Sequence, residues 1–146
     1  MMHPFMRQIS VTYRCAMLYR EKELADTGLS GCQTPYLMAL YRDPGLSQEE
    51  LARSMHVNKS SVTRQLLSLE EAGYIRREAS PDDRRVILVY PTERAMALEP
   101  RLKQVLRSWS ELLTDGFTAD EKAVLSDLMA RVAARAEAYV KGDAQG

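Results

Sequence analysis

From Arg53 to Arg64 the chain carries three basic residues, Arg53, Lys59 and Arg64, and a set of short hydrogen-bonders, Asn58, Ser60, Ser61 and Thr63, with no acidic residue among them. Lysine and arginine neutralise phosphates, and an arginine fork can read a guanine edge through two hydrogen bonds, while hydroxyls bond to phosphates or base edges. Further on, Asp82-Asp83-Arg84-Arg85 places two guanidinium groups beside two carboxylates. An arginine at the tip of a loop can enter a narrow minor groove, whose negative potential attracts it. The aspartates are an odd choice for a surface that seeks only phosphate, unless one of them pairs with an arginine and directs it. A short charged run taken alone is equally well read as a solvated helix face, and Asp-Asp-Arg-Arg as a solubilising hairpin loop.

The elements that would carry these side chains favour the first reading. Ser47 and Glu50 form a capping box, in which each side chain satisfies the backbone N–H of the other, so a short helix is expected over 47–55. Its apolar Leu51, Ala52 and Met55 recur at helical spacing, and Val57 is expected to tuck under the turn that follows. Asn58 is a favourable N-cap for a second helix whose Val62, Leu66 and Leu69 form one inward stripe, leaving Lys59, Ser60, Thr63 and Arg64 on other faces. Glu70 and Glu71 come only at its far end. Gly73 supplies a left-handed helix stop. Residues 74–78 and 86–90 then read as two strands of a hairpin, joined by the turn-rich segment 79–85. The order helix, three-residue turn, helix, hairpin is that of a winged helix-turn-helix.

At this point the chain resembles a known family. The run Leu46-Ser47-Gln48-Glu49-Glu50-Leu51-Ala52, the helix Asn58-Lys59-Ser60-Ser61-Val62-Thr63-Arg64, the junction Leu69-Glu70-Glu71-Ala72-Gly73-Tyr74-Ile75 and the wing Asp83-Arg84-Arg85 are similar to the MarR family of bacterial transcriptional regulators. The resemblance implies a recognition helix beginning at Asn58, a DNA contact from Arg64, and entry of Arg85 into the minor groove. One departure is visible: where the family shows Leu-Thr and then a glycine, this chain has Pro91-Thr92 and Ala95. The candidate DNA contacts are therefore Ser47, Asn58, Lys59, Ser60, Ser61, Thr63, Arg64, Arg84 and Arg85, with Asp83 supporting the wing.

The expected fold class is mainly α with a small β-hairpin wing. A chain of 146 residues with 45% hydrophobic content can bury one substantial core. The expected organisation is one winged helix-turn-helix domain over 1–146, with a DNA-binding lobe at 34–91 and dimerisation helices at 1–27 and 92–141. Lys and Arg total 20, Asp and Glu 20, so the net charge is zero and the basic residues must act locally rather than by long-range steering.

The flanks read as amphipathic helices. Residues 5–25 carry Ile9, Tyr13, Met17 and Leu24, with Ala16 and Arg20 between, and a short helix follows at 35–41. Thr92 caps a helix bearing Leu98, Leu102, Val105, Leu106, Trp109, Leu112 and Leu113, in which Pro100 is expected to make a kink or a break. Thr118 and Glu121 form a capping box for a last helix with Val124, Leu125, Leu128, Met129, Val132 and Tyr139. The stretch 142–146 reads as a frayed tail. So much amphipathic helix exceeds what one small lobe can cover, which points to a two-fold homodimer holding two recognition helices about 34 Å apart over an inverted repeat in double-stranded DNA. A monomer core is the competing explanation of the stripes.

A small aromatic or phenolic effector wedged between dimerisation helices and lobe would shift the spacing of the recognition helices. Tyr13, Met17, Tyr36 and Tyr41, with Met38 and Trp109, are the candidate pocket residues, although aromatic and methionine side chains at helical spacing also serve as core filler. Cys15 lies between Tyr13 and Tyr19 and superficially resembles the cysteine through which one branch of the family senses organic hydroperoxides. The spacing to Pro35-Tyr36 leaves no room for that branch's second tyrosine, and a buried structural thiol is the expected fate of Cys15. Cys32 reads as a small loop filler.

Two cysteines make no disulfide framework, and neither belongs to a CxxC pair or a metal-ligand spacing. His3 and His56 are the only histidines. No nucleophile–base pair, paired metal ligands or glycine-rich phosphate cradle can be assembled, so no enzyme activity, cofactor or metal is expected. No apolar run of about 18 residues and no secretory leader pattern occurs, so a cytoplasmic location without membrane contact is expected. A winged helix that binds protein and not DNA remains the third class of reading.

Overall fold

The computed structural model describes residues 4–144, so His3 and residues 145–146 of the expected tail lie outside it. Helix α1 (Pro4–Glu23) is followed by single 3-10 turns at Ala25–Thr27 and Gly31–Gln33 and by α2 (Thr34–Arg42). Then come strand β1 (Leu46–Ser47), helices α3 (Gln48–Met55) and α4 (Lys59–Glu71), strands β2 (Ile75–Ala79) and β3 (Ile87–Pro91), α5 (Glu93–Leu113) and α6 (Ala119–Ala144). None of the helices in these residues is long and apolar enough to cross a membrane. The chain forms two compact units, one running to Trp109 and the other from Ser110.

In the first unit, the stripe expected on α4 is fully inward: Val62, Leu66 and Leu69 meet Leu24, Leu37, Leu40, Leu51, Val89 and Leu102 in one core. Each fully buried leucine stabilises by about 1.5–3 kcal/mol, so this cluster dominates the lobe's stability. The sheet is antiparallel in the order β1-β3-β2, with Leu46 opposite Val89 on one side and Arg77 opposite Val89 on the other. The hairpin is as expected, shifted by one residue, whereas β1 was not foreseen.

Gly73, at φ +82°, turns the chain from α4 into β2 in a conformation that an L side chain rarely adopts. Thr92 locks the other end of the hairpin: its hydroxyl donates to the Gly73 carbonyl at 2.6 Å and accepts from the Ala95 N–H at 3.3 Å. Ala95 is completely buried. The Pro91-Thr92 junction therefore needs no glycine, and the departure from the family pattern is accommodated by a small buried methyl.

Two expectations are corrected here. Of the two outcomes expected of Pro100, a kink or a break, the break does not occur, since the helix runs from Glu93 to Leu113. The hydrogen bond it forfeits is that to the carbonyl of Met96, an exposed residue, where water can replace it. Val57 does not tuck under the turn but stays exposed, because Met55 already packs on the core and the backbone of His56 changes direction between them.

In the second unit, the last turn of α5 leads through Gly116, at φ +82°, to a Thr118–Glu121 capping box with bonds of 2.9 and 3.1 Å, as expected. Helix α6 continues to Ala144, past the point where the tail was expected to fray. Its apolar residues Val124, Leu125, Leu128 and Met129 are all exposed.

Candidate nucleic-acid interface

Both helices of the central motif begin with the caps their sequences call for. Ser47 Oγ accepts the Glu50 N–H at 3.1 Å, and Glu50 Oε2 accepts the Ser47 N–H at 2.8 Å. Ser47 is buried and its Oγ is the acceptor that starts α3, which leaves its hydroxyl proton to donate, and it borders the cleft beside α4 and the wing. His56 then takes a left-handed backbone, φ 55°, and ends α3. This conformation is disfavoured for residues with a Cβ, and here it allows a three-residue reversal. Asn58 Oδ1 accepts the Ser61 N–H at 2.8 Å and opens α4.

The outward face of α4 is as open as the sequence implied. Lys59, Ser60, Thr63 and Arg64 are exposed and Ser61 is partly covered. Lys59 Nζ is paired with Glu49 Oε1 at 2.9 Å, which holds the glutamate's carboxyl below its ordinary value. The Thr63 hydroxyl donates to the Lys59 carbonyl at 2.9 Å, so it has spent its proton within the helix and retains an acceptor and a methyl group for a neighbour. No acidic residue occupies the first turn of α4, where the helix dipole is positive. From behind, the buried Gln33 holds α4 in place, its Nε2 donating to Gln65 Oε1 at 3.2 Å and Ser68 Oγ at 3.1 Å.

The wing pairs aspartate with arginine as anticipated. Arg85 Nε and Nη2 donate to the two oxygens of Asp83, each at 3.1 Å, and the Arg85 backbone N–H donates to Asp83 Oδ1 at 3.0 Å. These bonds hold the Asp83 carboxyl below the usual aspartate range, the side-chain bond contributing most. Arg85 nevertheless stays 91% exposed. A guanidinium directed by its neighbour and open to solvent is preorganised for a ligand, since less side-chain freedom remains to be lost on contact. Arg84 is exposed beside it. Between the wing base and α4 lies a cleft of about 260 Å³ lined by residues including Gln48, Lys59, Thr63 and Arg85.

The aromatic candidates separate. Tyr13 and Tyr36 line one cleft of about 480 Å³ together with Cys32, Arg42, Met55 and Arg64, whereas Met17 and Tyr41 do not border it. Tyr41 instead donates its hydroxyl to the Ala95 carbonyl at 2.6 Å, and burial pushes it up to about 12. The Met17 backbone carbonyl packs against Gly31, so closely that a Cβ there would sit 2.6 Å from the oxygen. Trp109 stacks on Tyr19 at 4.7 Å. Cys15 is exposed, not buried, because it falls beside the Ala16 stripe of α1 and not on it; Cys32 is also exposed, with Ser30 Oγ at 3.1 Å from its sulfur.

Sequence reasoning missed Arg77 and Gln48, whose side chains bond to each other, and Gln33. Their partners are distant in sequence, and the one local signal was an arginine at a position of β2 where alternation calls for an apolar residue.

The MarR family model matches residues 29–87, the span from the turn before α2 through the wing. An uncharacterized HTH-type transcriptional regulator of Bacillus subtilis strain 168, YybA, is 29% identical over 131 residues, covering 90% of this chain and 87% of the relative. A crystal structure of MarR superposes with a TM-score of 0.88 at 32% identity, covering 97% of this chain and 95% of the other. The chain belongs to the MarR family. It is thus a transcriptional regulator with a winged-helix fold, mainly helical with a small antiparallel sheet. A MarR family regulator of Listeria monocytogenes in complex with a 26mer DNA is similar as well, with a TM-score of 0.85 at 25% identity and coverage of 96% and 95%. The MarR match spans the α3-turn-α4 motif and ends at Ile87, just after Asp83-Arg84-Arg85, so all four segments that carried the resemblance lie inside it.

Proposed function

We propose that this protein is a homodimeric repressor that binds an inverted-repeat operator through α4 and the wing and is released by a small aromatic effector. The observation that carries this reading is the pairing of an open, acid-free face, Ser60, Thr63 and Arg64, with an Arg85 guanidinium held outward by Asp83. The first has the side chains to read base edges in a major groove, the second the form that suits a narrow minor groove. Asn58, Lys59, Ser61 and Arg84 surround them as phosphate contacts. A similar protein has been crystallised with a 26mer DNA, which supports duplex DNA as the ligand of this fold. Bound at a promoter, such a dimer excludes polymerase, which is the simplest route from binding to repression.

Arg64 gives the effector its lever. It belongs both to the outward face of α4 and to the cleft that contains Tyr13 and Tyr36. An aromatic acid stacked between those rings and paired with Arg64 would withdraw the guanidinium from DNA, so ligand and operator would compete for one side chain. Exposure of Cys15 favours the oxidation-sensing alternative to this extent only, that an oxidant can reach it; peroxide that leaves operator affinity unchanged disposes of it.

The test is fluorescence anisotropy with labelled duplex over a range of salt. Affinity should fall steeply as salt rises. Arg85→Ala and Arg64→Ala should each weaken binding by about tenfold or more, with Arg64→Ala also relaxing the preferred sequence. A winged helix that serves only protein contacts would be indifferent to both changes.

A further inference from the structure

Arg77 occupies a position on β2 where its strand alternates toward the core. Ile75, Arg77 and Ala79 share a face, Ile75 is buried, and the residue opposite Arg77 is the fully buried Val89. The side chain retains 23% exposure, and its guanidinium makes three hydrogen bonds. Nε and Nη2 donate to Glu70 Oε2 and Oε1 at 3.2 and 3.0 Å, and Nη1 donates to Gln48 Oε1 at 3.1 Å. Glu70 lies in the last turn of α4 and Gln48 opens α3. One side chain thus joins the stem of the wing to both helices of the motif. Its neighbour Arg76 faces the other way, with Glu78 at 2.6 Å and Tyr90 beneath its guanidinium at 4.3 Å.

We propose that Arg77 is the positioning residue that sets the angle of the wing relative to α4, and so determines whether Arg85 reaches DNA while Arg64 is seated. This rests on the DNA-binding reading above. The ladder from Ile75–Pro91 to Ala79–Ile87 holds the hairpin together without Arg77, and Ile75 and Val89 hold its stem on the core. Beyond Ala79 the loop is braced within itself, by the Ser80–Val86 and Val86–Asp83 backbone bonds, the Asp82 N–H to Ser80 Oγ at 3.3 Å and the Asp83–Arg85 pair, and among the described residues none of 80–87 belongs to the core cluster. The wing is a lever: with its tip about 15 Å from Arg77, a tilt of about 10° at the stem moves Arg85 by about 2.5 Å, enough to forfeit a groove contact. A forked, three-bond guanidinium specifies an angle in a way that a lysine's single ammonium does not.

A double-mutant cycle on the full-length protein tests this, with amide exchange on the free protein as a second arm. Arg77→Met should weaken operator binding about tenfold. Arg85→Ala, costly in the parent, should cost less than twofold on the Arg77→Met background, whereas Arg64→Ala should cost the same on both. Glu70→Gln, which keeps an acceptor in place, should show the same pattern at reduced size and serves if Arg77→Met fails to fold. Additive effects of Arg77 and Arg85 overturn the proposal. In the free protein, exchange over residues 80–86 should quicken in Arg77→Met while that of 62–69 stays unchanged. Unchanged exchange in the wing rejects the anchor even if the protein were to bind no duplex at all, so failure of the DNA reading and failure of the anchor are told apart.

Discussion

Helices α4 and α6 are both amphipathic, and they meet opposite fates. On α4 the stripe of Val62, Leu66 and Leu69 is no more than 1% exposed, while on α6 Val124, Leu125, Leu128 and Met129 are 40–57% exposed. The difference is one of neighbours. The chain up to Trp109 folds α1, α2, α3, α5 and the sheet around α4, and Tyr74 reinforces that closure by donating its hydroxyl to the Thr27 carbonyl at 2.6 Å. From Ser110 on, the last turn of α5 and helix α6 have no comparable supply of apolar cover. The first region carries its own stability; the second, in the reading proposed here, obtains it from another copy of the chain, and with it the two-fold symmetry that an inverted repeat requires.

The contrast can be broken most forcefully on its buried side. Leu66→Ala should destabilise the lobe by about 2–5 kcal/mol in denaturant unfolding, because a fully enclosed leucine leaves a cavity that close-packed neighbours refill poorly. If unfolding were unaffected, α4 would not be the centre of the core. On the exposed side, Leu128→Glu should leave the lobe's own unfolding transition in place yet yield monomers at micromolar concentration by sedimentation. Operator affinity should fall about a hundredfold with the loss of the second half-site. Dimers that persist would put the interface elsewhere.

The smallest effect separates polar anchoring from apolar closure. Asp26, Glu49, Glu70 and Asp83 are each held below the ordinary carboxylate range by hydrogen bonds from Arg101, Lys59, Arg77 and Arg85 respectively. A carboxylate whose folded pKa is depressed adds stability that is complete above its unfolded pKa of about 4 and lost as pH falls through the folded value. The melting temperature should thus be level from about pH 7 to 5 and decline below about 4, and Glu70→Gln should make that decline slightly shallower. These pairs are largely exposed, so solvent screening keeps each contribution small. A melting temperature that rises on acidification would contradict the assignment.

What could be read from sequence was local. The Ser47–Glu50 and Thr118–Glu121 boxes, the Asn58 cap and the Gly73 stop each act within a few residues, and each appears where its spacing placed it. The Asp83–Arg85 pair was legible for the same reason. Strand β1 was not, since two residues have no periodicity and owe their conformation to pairing with Val89 and Leu88 on β3. Tyr41 looked like a cleft residue, but its hydroxyl finds a carbonyl 54 residues away. Cys15 was misjudged because exposure on a helix depends on which stripe meets the core, and Ala16 took that place. Arg77 escaped notice because its meaning lies in Gln48 and Glu70, which only the folded chain brings to it.

Selection of bound sequences from random duplex DNA tests most directly whether two copies of α4 and two wings are spaced for one face of B-form DNA. The expected outcome is an enriched inverted repeat with half-site centres about ten base pairs apart, read at the base pairs that face Arg64. Enrichment of a lone half-site, or of no sequence at all at low ionic strength, would contradict it.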